Sequence, residues 1–502
     1  MSHRFVARSM RLMLVGLLLV AASRLAAGAS IGLNFTGLTL FDGAALSGNN
    51  GYAPPDNAGG VGPGEIAQLI NGGYAVYDKM NGTLVQQKSG RQFWIDAGID
   101  PGPGIANLGA FNQRILYDPS EGRWIAAALT GESVDNYVLV ARSETADPAG
   151  AWKAVSFLGN AGGIGRFADF TRLGVDANGV YIGTNNFTSN TAGGEPANVS
   201  LFSVPKADLM AGVPTLANMT RFDAVNQFPY IVGSTPNPVI NFGPVGNHAP
   251  VLATAFPPNR LSRIDLINTA AAGATKSATV TQITVNSYAP PPLAAQPDGT
   301  REIVTIDQRI KANIYQVGNV IYAVHDVKVG NNVGIKWYKI NEATNQLIQE
   351  GILSHPDYDY FQASIAANAD GDVVIGFNRS GLVADGQLSI FAAVGTTSAG
   401  VTTFDAPFLV KASTVDDYHY VDNRWGDYTT TVVDPLNPKV FWTFQEYALE
   451  ELAPLSDEWA WATQVSQIIV PEPESMALAA IALAAVALIA WRRRGFALRK
   501  TA

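Results

Sequence analysis

A five-residue pattern returns along this chain: Arg114-Ile-Leu-Tyr-Asp118, Arg172-Leu-Gly-Val-Asp176, Arg309-Ile-Lys-Ala-Asn313, Ser364-Ile-Ala-Ala-Asn368 and Thr430-Thr-Val-Val-Asp434. A polar residue opens each copy, mostly apolar residues follow, and an Asp or Asn closes it. A turn and a second apolar run come next, as in Asp118-Pro-Ser-Glu-Gly122 before Arg123-Trp-Ile-Ala, Asp176-Ala-Asn-Gly179 before Val180-Tyr-Ile-Gly, and Asp370-Gly-Asp372 before Val373-Val-Ile-Gly. The closing side chain suits an Asx-type turn, in which its oxygen takes a backbone N–H two residues on. A repeated strand-turn-strand unit is a severe constraint, because one unit cannot bury its own apolar face and must stack on its neighbours.

The closing residues lie 58, 137, 55 and 66 positions apart. The long interval has room for a degenerate copy near 243–256, and one more unit fits over 56–94. That makes seven units of about 60 residues, longer than common propeller repeats. Other short apolar runs, 75–78, 137–142, 320–324 and 440–444, are rich in Val, Ile, Tyr and Trp, and no long 3.6-residue periodicity interrupts them. The expected class is all-β: a seven-bladed β-propeller over residues 30–470, closed by strands 31–40 and 464–470 lying side by side. An array of β-sandwiches is the second architecture that fits.

Composition agrees. Charged residues are 15% of the 502, against roughly 25% in average domains, and there are 49 Gly and 28 Pro. With no Cys, disulfide frameworks and thiolate metal sites are excluded. The formal charge of -9 is unevenly spread. Arg4, Arg8, Arg11 and Arg24 lie in an acid-free first 29 residues, and Arg492, Arg493, Arg494, Arg499 and Lys500 in an acid-free last 28. The remainder holds 24 basic and 42 acidic residues, a balance of -18 that argues against nucleic acid as a partner.

Both basic ends read as addresses. At the start, three arginines precede the apolar run 12–22 and then Ala27-Gly28-Ala29, so residues 1–29 form a signal peptide cut by signal peptidase after Ala29. An uncleaved anchor is the alternative. At the other end, Val470-Pro471-Glu472-Pro473-Glu474 is followed by sixteen uncharged residues, 476–491, and then Arg492-Arg493-Arg494. Sixteen helical residues cover about 24 Å, which snorkelling arginines can extend across a hydrocarbon core. Arginines belong on the cytoplasmic side, which places the body outside the inner membrane.

The order Pro471-Glu472-Pro473, apolar helix, Arg492-Arg493-Arg494 resembles the PEP-CTERM sorting signal of Gram-negative bacteria, here over 471–495. The resemblance implies processing by exosortase, a transiently membrane-anchored precursor, and a destination at the cell surface or in the extracellular matrix. Such signals are frequent in species that make exopolysaccharide or biofilm. A plain C-terminal anchor is the alternative. The body also resembles secreted bacterial sialidase-like β-propeller proteins of unassigned activity. That likeness rests on Pro54-Pro55-Asp56-Asn57-Ala58-Gly59-Gly60-Val61-Gly62-Pro63, Arg114 to Asp118 with Arg123-Trp124, Asp147-Pro-Ala-Gly-Ala-Trp152, Asn423-Arg-Trp-Gly-Asp-Tyr428 and Thr443-Phe-Gln-Glu-Tyr447.

If the opening strand of each unit is innermost, Arg114, Arg172 and Arg309 converge at one mouth of a central channel. A guanidinium fork suits carboxylate or sulfate, so an anion- or glycan-binding site is expected there, with Arg424 and a sugar-stacking Trp425 beside it. The competing reading has each arginine neutralised by Asp169, Asp307 or Asp427 and bracing its blade. Asp169, Asp307, Asp427, Glu446 and Tyr428 are the residues from which glycoside chemistry would be assembled. His248, His325, His355 and His419 show no HExxH spacing, and neither a phosphate loop nor a Gly-x-Ser-x-Gly elbow occurs. No catalytic residue, metal ligand or cofactor is therefore assigned. Three functions remain: a binding or structural protein of the envelope, a glycoside hydrolase or lyase acting on acidic polysaccharide, and an adhesin.

Overall fold

A computed structural model describes residues 28–49, 51–100, 109–131, 136–159, 167–189, 194–223, 225, 233–420, 423–452 and 458–471. The chain divides into a body, 31–467, and a second unit made of the two ends, 1–30 and 468–502. The signal-peptide core, the 476–491 segment and Arg492 to Arg494 all lie outside the described residues. Among those described, no helix is long and apolar enough to cross a membrane.

The body is built from strands in small sheets. β1 (Ser30–Thr39) comes first and is set aside for the end of the chain. β2 (Ala58–Val61), β3 (Glu65–Ile70), β4 (Gly73–Asp78) and β5 (Leu84–Ser89) pair in sequence order. So do β6 (Ala110–Asp118), β7 (Arg123–Thr130), β8 (Tyr137–Ser143) and β9 (Trp152–Leu158), and then β10 (Phe167–Val175), β11 (Gly179–Phe187), β12 (Pro196–Pro205) and β13 (Thr220–Phe222).

The next sheet has nine strands. One half holds β14 (Asn237–Ile240), β15 (His248–Thr254), β16 (Arg260–Ile267), β17 (Thr275–Lys276) and β18 (Thr281–Thr284). The other holds β19 (Ile314–Val317), β20 (Val320–Val329), β21 (Asn332–Asn341) and β22 (Leu347–Leu353). Each half is antiparallel, and the halves are joined through parallel pairing of β14 with β19. A further sheet holds β23 (Asp359–Ala367), β24 (Val373–Ser380), β25 (Ser389–Ser398), β26 (Val401–Phe404) and β27 (Phe408–Lys411). In the last, β28 (Thr430–Val433), β29 (Val440–Leu452) and β30 (Trp459–Ile469) are completed by β1, which lies next to β30.

Opening strands touch in a closed circuit, β2 to β6, β10, β14, β19, β23, β28 and back to β2. This is a β-propeller-like arrangement, with first and last strands sharing one sheet. Three of the closing residues form the expected turn: Asp118 Oδ1 accepts from Ser120 N (2.9 Å), Asp176 Oδ1 from Asn178 N (2.7 Å) and Asp434 Oδ1 from Leu436 N (2.9 Å), whereas Asn368 Oδ1 accepts from Asp372 N, four residues on (2.9 Å). The carboxylates also tie neighbouring sheets together, through Lys206–Asp118 (2.6 Å), Lys79–Asp434 (2.8 Å) and Lys439–Asp372 (2.7 Å). Apolar side chains fill the space between sheets, and Trp94, Trp124, Trp442 and Trp461 are fully buried there.

Two details correct the sequence reading of the repeats. The copy in the long interval starts earlier than 243, because β14 begins at Asn237 and its turn is closed by Asn241, whose Oδ1 accepts from Gly243 N at 2.8 Å. Arg309 to Asn313 is not a strand: it is the segment preceding β19, which starts only at Ile314. Arg309 therefore reaches the centre from a loop, not from a position equivalent to Arg114.

Candidate functional site

Three opening strands carry a bulge at one level. Pairing slips between Phe111 and Arg114 on β6, between Asp169 and Arg172 on β10, and between Phe361 and Ser364 on β23. Within each slip one residue is left-handed: Asn112 (φ 51°), Phe170 (φ 56°) and Gln362 (φ 56°). A bulge kinks the strand and re-aims the following side chain, so Arg114 and Arg172 turn into the space the circuit encloses.

There they meet. Arg114 donates from Nε to Thr171 O (3.0 Å) and from Nη2 to Lys311 O (3.4 Å), and its guanidinium lies 3.2 Å from the centre of the Tyr428 ring. Arg172 lies 5.2 Å from that ring and 5.8 Å from the Phe170 ring, over which Arg309 is stacked at 4.1 Å. Arg309 is neutralised by Asp307 in a two-pronged pair (2.8 and 2.7 Å), and Arg424 by Asp427 (2.7 Å). The expected convergence is present, but it is not at an open mouth: Arg114 is 2% exposed and Arg172 0%. Neither has a carboxylate partner among the described residues. Local neutralisation thus describes Arg309 and Arg424, not Arg114 and Arg172. The exposed guanidinium is that of Arg424, whose side chain is 41% accessible.

Trp425 also differs from expectation. It is buried, donates from Nε1 to Asn378 Oδ1 (3.0 Å) and packs edge-on against Tyr418, so it offers no face to a sugar. The loop can sink this far because Gly426 has no side chain: a Cβ there would lie 2.6 Å from Glu446 Oε2.

Acids surround the arginines. Asp56 accepts from Asp427 N (3.0 Å) and Asn71 Nδ2 (3.0 Å), and burial, reinforced by Asp427, holds it well above the usual carboxylate range. Glu446 is pushed the same way by burial and then by Asp56 and Asp427. Neither of its oxygens has a hydrogen-bond partner among the described residues, the nearby Asn57 N–H being committed to Tyr428 O at 3.0 Å. Asp169 is pushed up to about 6 by burial and by Asp427, with the Phe170 N–H, Arg309 and Arg424 pulling back. Of the acids the sequence singled out, Asp169, Asp427 and Glu446 thus share one electrostatic neighbourhood. Asp56 was visible only as part of a Pro-rich motif, and the bulge residue Gln362 gave no signal at all.

At the closing-turn ends of the same strands lies an apolar cavity of about 370 Å3. Val61, Leu116, Tyr117, Val317, Ala367 and Val433 line it, and Phe242 stands at its edge, 39% exposed. The one carboxylate in its wall, Asp434, is engaged by Lys79 and by Trp442 Nε1 (3.0 Å). It is a place for an apolar body, not for acid-base chemistry on a sugar. Among the described residues no group of three or more His, Asp or Glu is arranged to hold a metal ion. His325 is a core residue, fixed by Gln308 O (2.6 Å) and Tyr338 Oη (2.8 Å).

A family model for the PEP-CTERM protein-sorting motif matches residues 470–494. Such a motif implies export, processing by exosortase and a cell-surface or extracellular location. No curated protein matches the chain. Among solved structures, a protein of unknown function from Dyadobacter fermentans is 10% identical, over 72% of this chain and 95% of its own, with a TM-score of 0.38. An α-L-arabinofuranosidase from Fusarium graminearum is 8% identical over 82% and 93% (TM-score 0.36). A Trypanosoma rangeli sialidase mutant with trans-sialidase activity is 11% identical over 71% and 54% (TM-score 0.35).

Proposed function

We propose that the chain is an envelope or extracellular-matrix protein whose body, a seven-bladed propeller if the nine-stranded sheet is counted as two blades, works outside the inner membrane as a binding or structural module. Signal peptidase removes residues 1–29. Exosortase then acts at Pro471-Glu472-Pro473 while residues 476–491 hold the membrane and Arg492, Arg493 and Arg494 face the cytoplasm. The observation that carries this reading is the sorting motif at 470–494.

Within the body, binding is favoured over turnover because the inner arginines are sealed. A polysaccharide would have to displace Tyr428 to reach Arg114. An acidic exopolysaccharide would instead meet Arg424, with Arg309 and Asp169 behind it. The test is fractionation of the native host with and without its exosortase, beside a triple Arg492→Ala, Arg493→Ala, Arg494→Ala chain. The wild-type protein is expected on the surface or in the matrix, and both perturbations are expected to retain it in the inner membrane. A distribution indifferent to both would overturn the reading.

A second reading has one observation in its favour. Asp169, pushed up to about 6 by burial and by the Asp427 charge, is a carboxyl that keeps its proton close to neutral pH beside a second carboxyl, which is one requirement of an acid-base glycosidase or lyase. Loss of release of reducing ends from an acidic polysaccharide in Asp169→Asn, with the fold retained, would move the assignment there.

A further inference from the structure

The most deeply buried of the three arginines has no counter-charge among the described residues. Arg172 is completely buried, and none of its Nε, Nη1 and Nη2 atoms has a hydrogen-bond partner among the described residues. A guanidinium carries five N–H donors and does not give up its proton. Leaving one unpaired in the interior costs far more than an ordinary hydrogen bond contributes. The deficit is shared by its neighbours, since Nη1 of Arg114 and Nη1 of Arg309 are likewise buried and unpartnered. The three guanidinium groups are linked through two rings, Arg114 and Arg172 by Tyr428, and Arg172 and Arg309 by Phe170.

The carboxylates at hand are spent elsewhere. Asp307 is committed to Arg309, Asp427 to Arg424, Asp326 to Lys311 Nζ (2.7 Å) and the Gln362 N–H (3.0 Å), and Asp169 accepts from Asn112 Nδ2 (2.9 Å) and the Phe170 N–H (2.7 Å), with no ion pair to Arg172 among the described residues. Burial holds Asp56 and Glu446 towards their neutral forms, so neither supplies the missing charge.

We propose that a small monovalent inorganic anion of chloride size is resident at the centre of the ring, held by Arg172 with Nη1 of Arg114 and Nη1 of Arg309. A glycan carboxylate does not fit the description, because nothing attached to a sugar reaches a 0% exposed side chain. Water alone fills the donors but leaves the charge uncompensated. The anion is structural: it lets three arginines occupy one core. This inference concerns the inner arginines and is independent of where the protein is sorted.

The test uses the full chain, purified throughout in bromide and crystallised, with diffraction recorded at the bromine edge. One anomalous peak within hydrogen-bond distance of Arg172 is expected, and its absence there would sink the proposal. Thermal unfolding gives a second readout, comparing chloride, bromide and gluconate salts at equal ionic strength. Wild type should melt several degrees higher in the halides, since a ligand bound only by the folded state stabilises by mass action. Arg172→Met, which keeps the length and removes the charge, should lose that difference. An equal halide effect in wild type and Arg172→Met would mean surface screening and would refute the site. Should Arg172→Met fail to fold, the anomalous map decides.

Discussion

Arg114 lies with its guanidinium 3.2 Å from the centre of the Tyr428 ring, and Tyr428 Oη donates at 2.7 Å to Gln113 O, the carbonyl just before Arg114. Two residues from opposite ends of the body thus hold each other in place, and the strands β6 and β28 with them. Desolvated stacking of this kind contributes about 2 kcal/mol, and each backbone hydrogen bond about 1 kcal/mol. Arg114→Ala, which loses the stack and the bonds to Thr171 O and Lys311 O, is therefore expected to destabilise the body by roughly 4 kcal/mol in denaturant unfolding. Arg114→Lys should recover little, because one ammonium cannot serve Thr171 O, Lys311 O and the ring together. Equal stability of all three proteins would show that the stack carries no load.

Lys79 and Asp434 join the first full sheet to the last, and both side chains are largely buried, at 12% and 4% exposure. Asp434 also accepts from Leu436 N and Trp442 Nε1. Removing one partner of such a pair strands the other, so Lys79→Met is expected to cost roughly 2–4 kcal/mol. The double variant Lys79→Met, Asp434→Asn should be less destabilised than the sum of the singles. Strict additivity in the cycle would mean that the two residues act independently.

Backbones approach closely at Gly183 on β11, where a Cβ would lie 2.0 Å from Pro236 O. A carbonyl just ahead of β14 cannot move aside as a flexible side chain would. Gly183→Ala should cost about 1–3 kcal/mol, whereas Gly64→Ala, which meets nothing within 4 Å, should be close to neutral. Unfolding midpoints of the two variants give the comparison directly.

Two buried groups pull the pH dependence in opposite directions. Burial lowers His325 to about 4, so between about 4 and 6.5 the unfolded chain binds a proton that the folded one does not, and stability rises with pH. Asp169 is raised to about 6, so between about 4 and 6 the folded chain keeps a proton that the unfolded one has lost, and stability falls with pH. Asp169→Asn should steepen the acid-side loss of stability, and His325→Gln should flatten or reverse it. Urea midpoints followed from about pH 4 to about pH 7 would show this, and parallel curves for the three proteins would contradict it.

The repeat was legible because its closing Asp or Asn makes a local turn, and local chemistry is written in adjacent residues. Asp118, Asp176 and Asp434 do what their spacing implies, and Asn368 closes a wider turn onto Asp372 N. Arg309 misled for the same reason: its five residues match the pattern, but they fall in a connection whose path is set by the pairing of β14 with β19. The convergence of Arg114 and Arg172 could be read from the repeat, whereas their burial could not, since it follows from a bulge that moves one residue per strand and from Tyr428 arriving from 314 positions away. Trp425 was misplaced because its polar neighbours suggest an exposed loop. The descent of that loop depends on Gly426, and absence of a side chain leaves no hydrophobic signature.

Because β1 lies beside β30 in one sheet, no fragment starting at the N-terminus can complete that sheet before residue 469 is available. The sorting motif begins at the very next residue. The last joint of the ring and the start of the address are thus made available together, so a chain released early carries neither, and shape and destination are acquired in the same final stretch of synthesis.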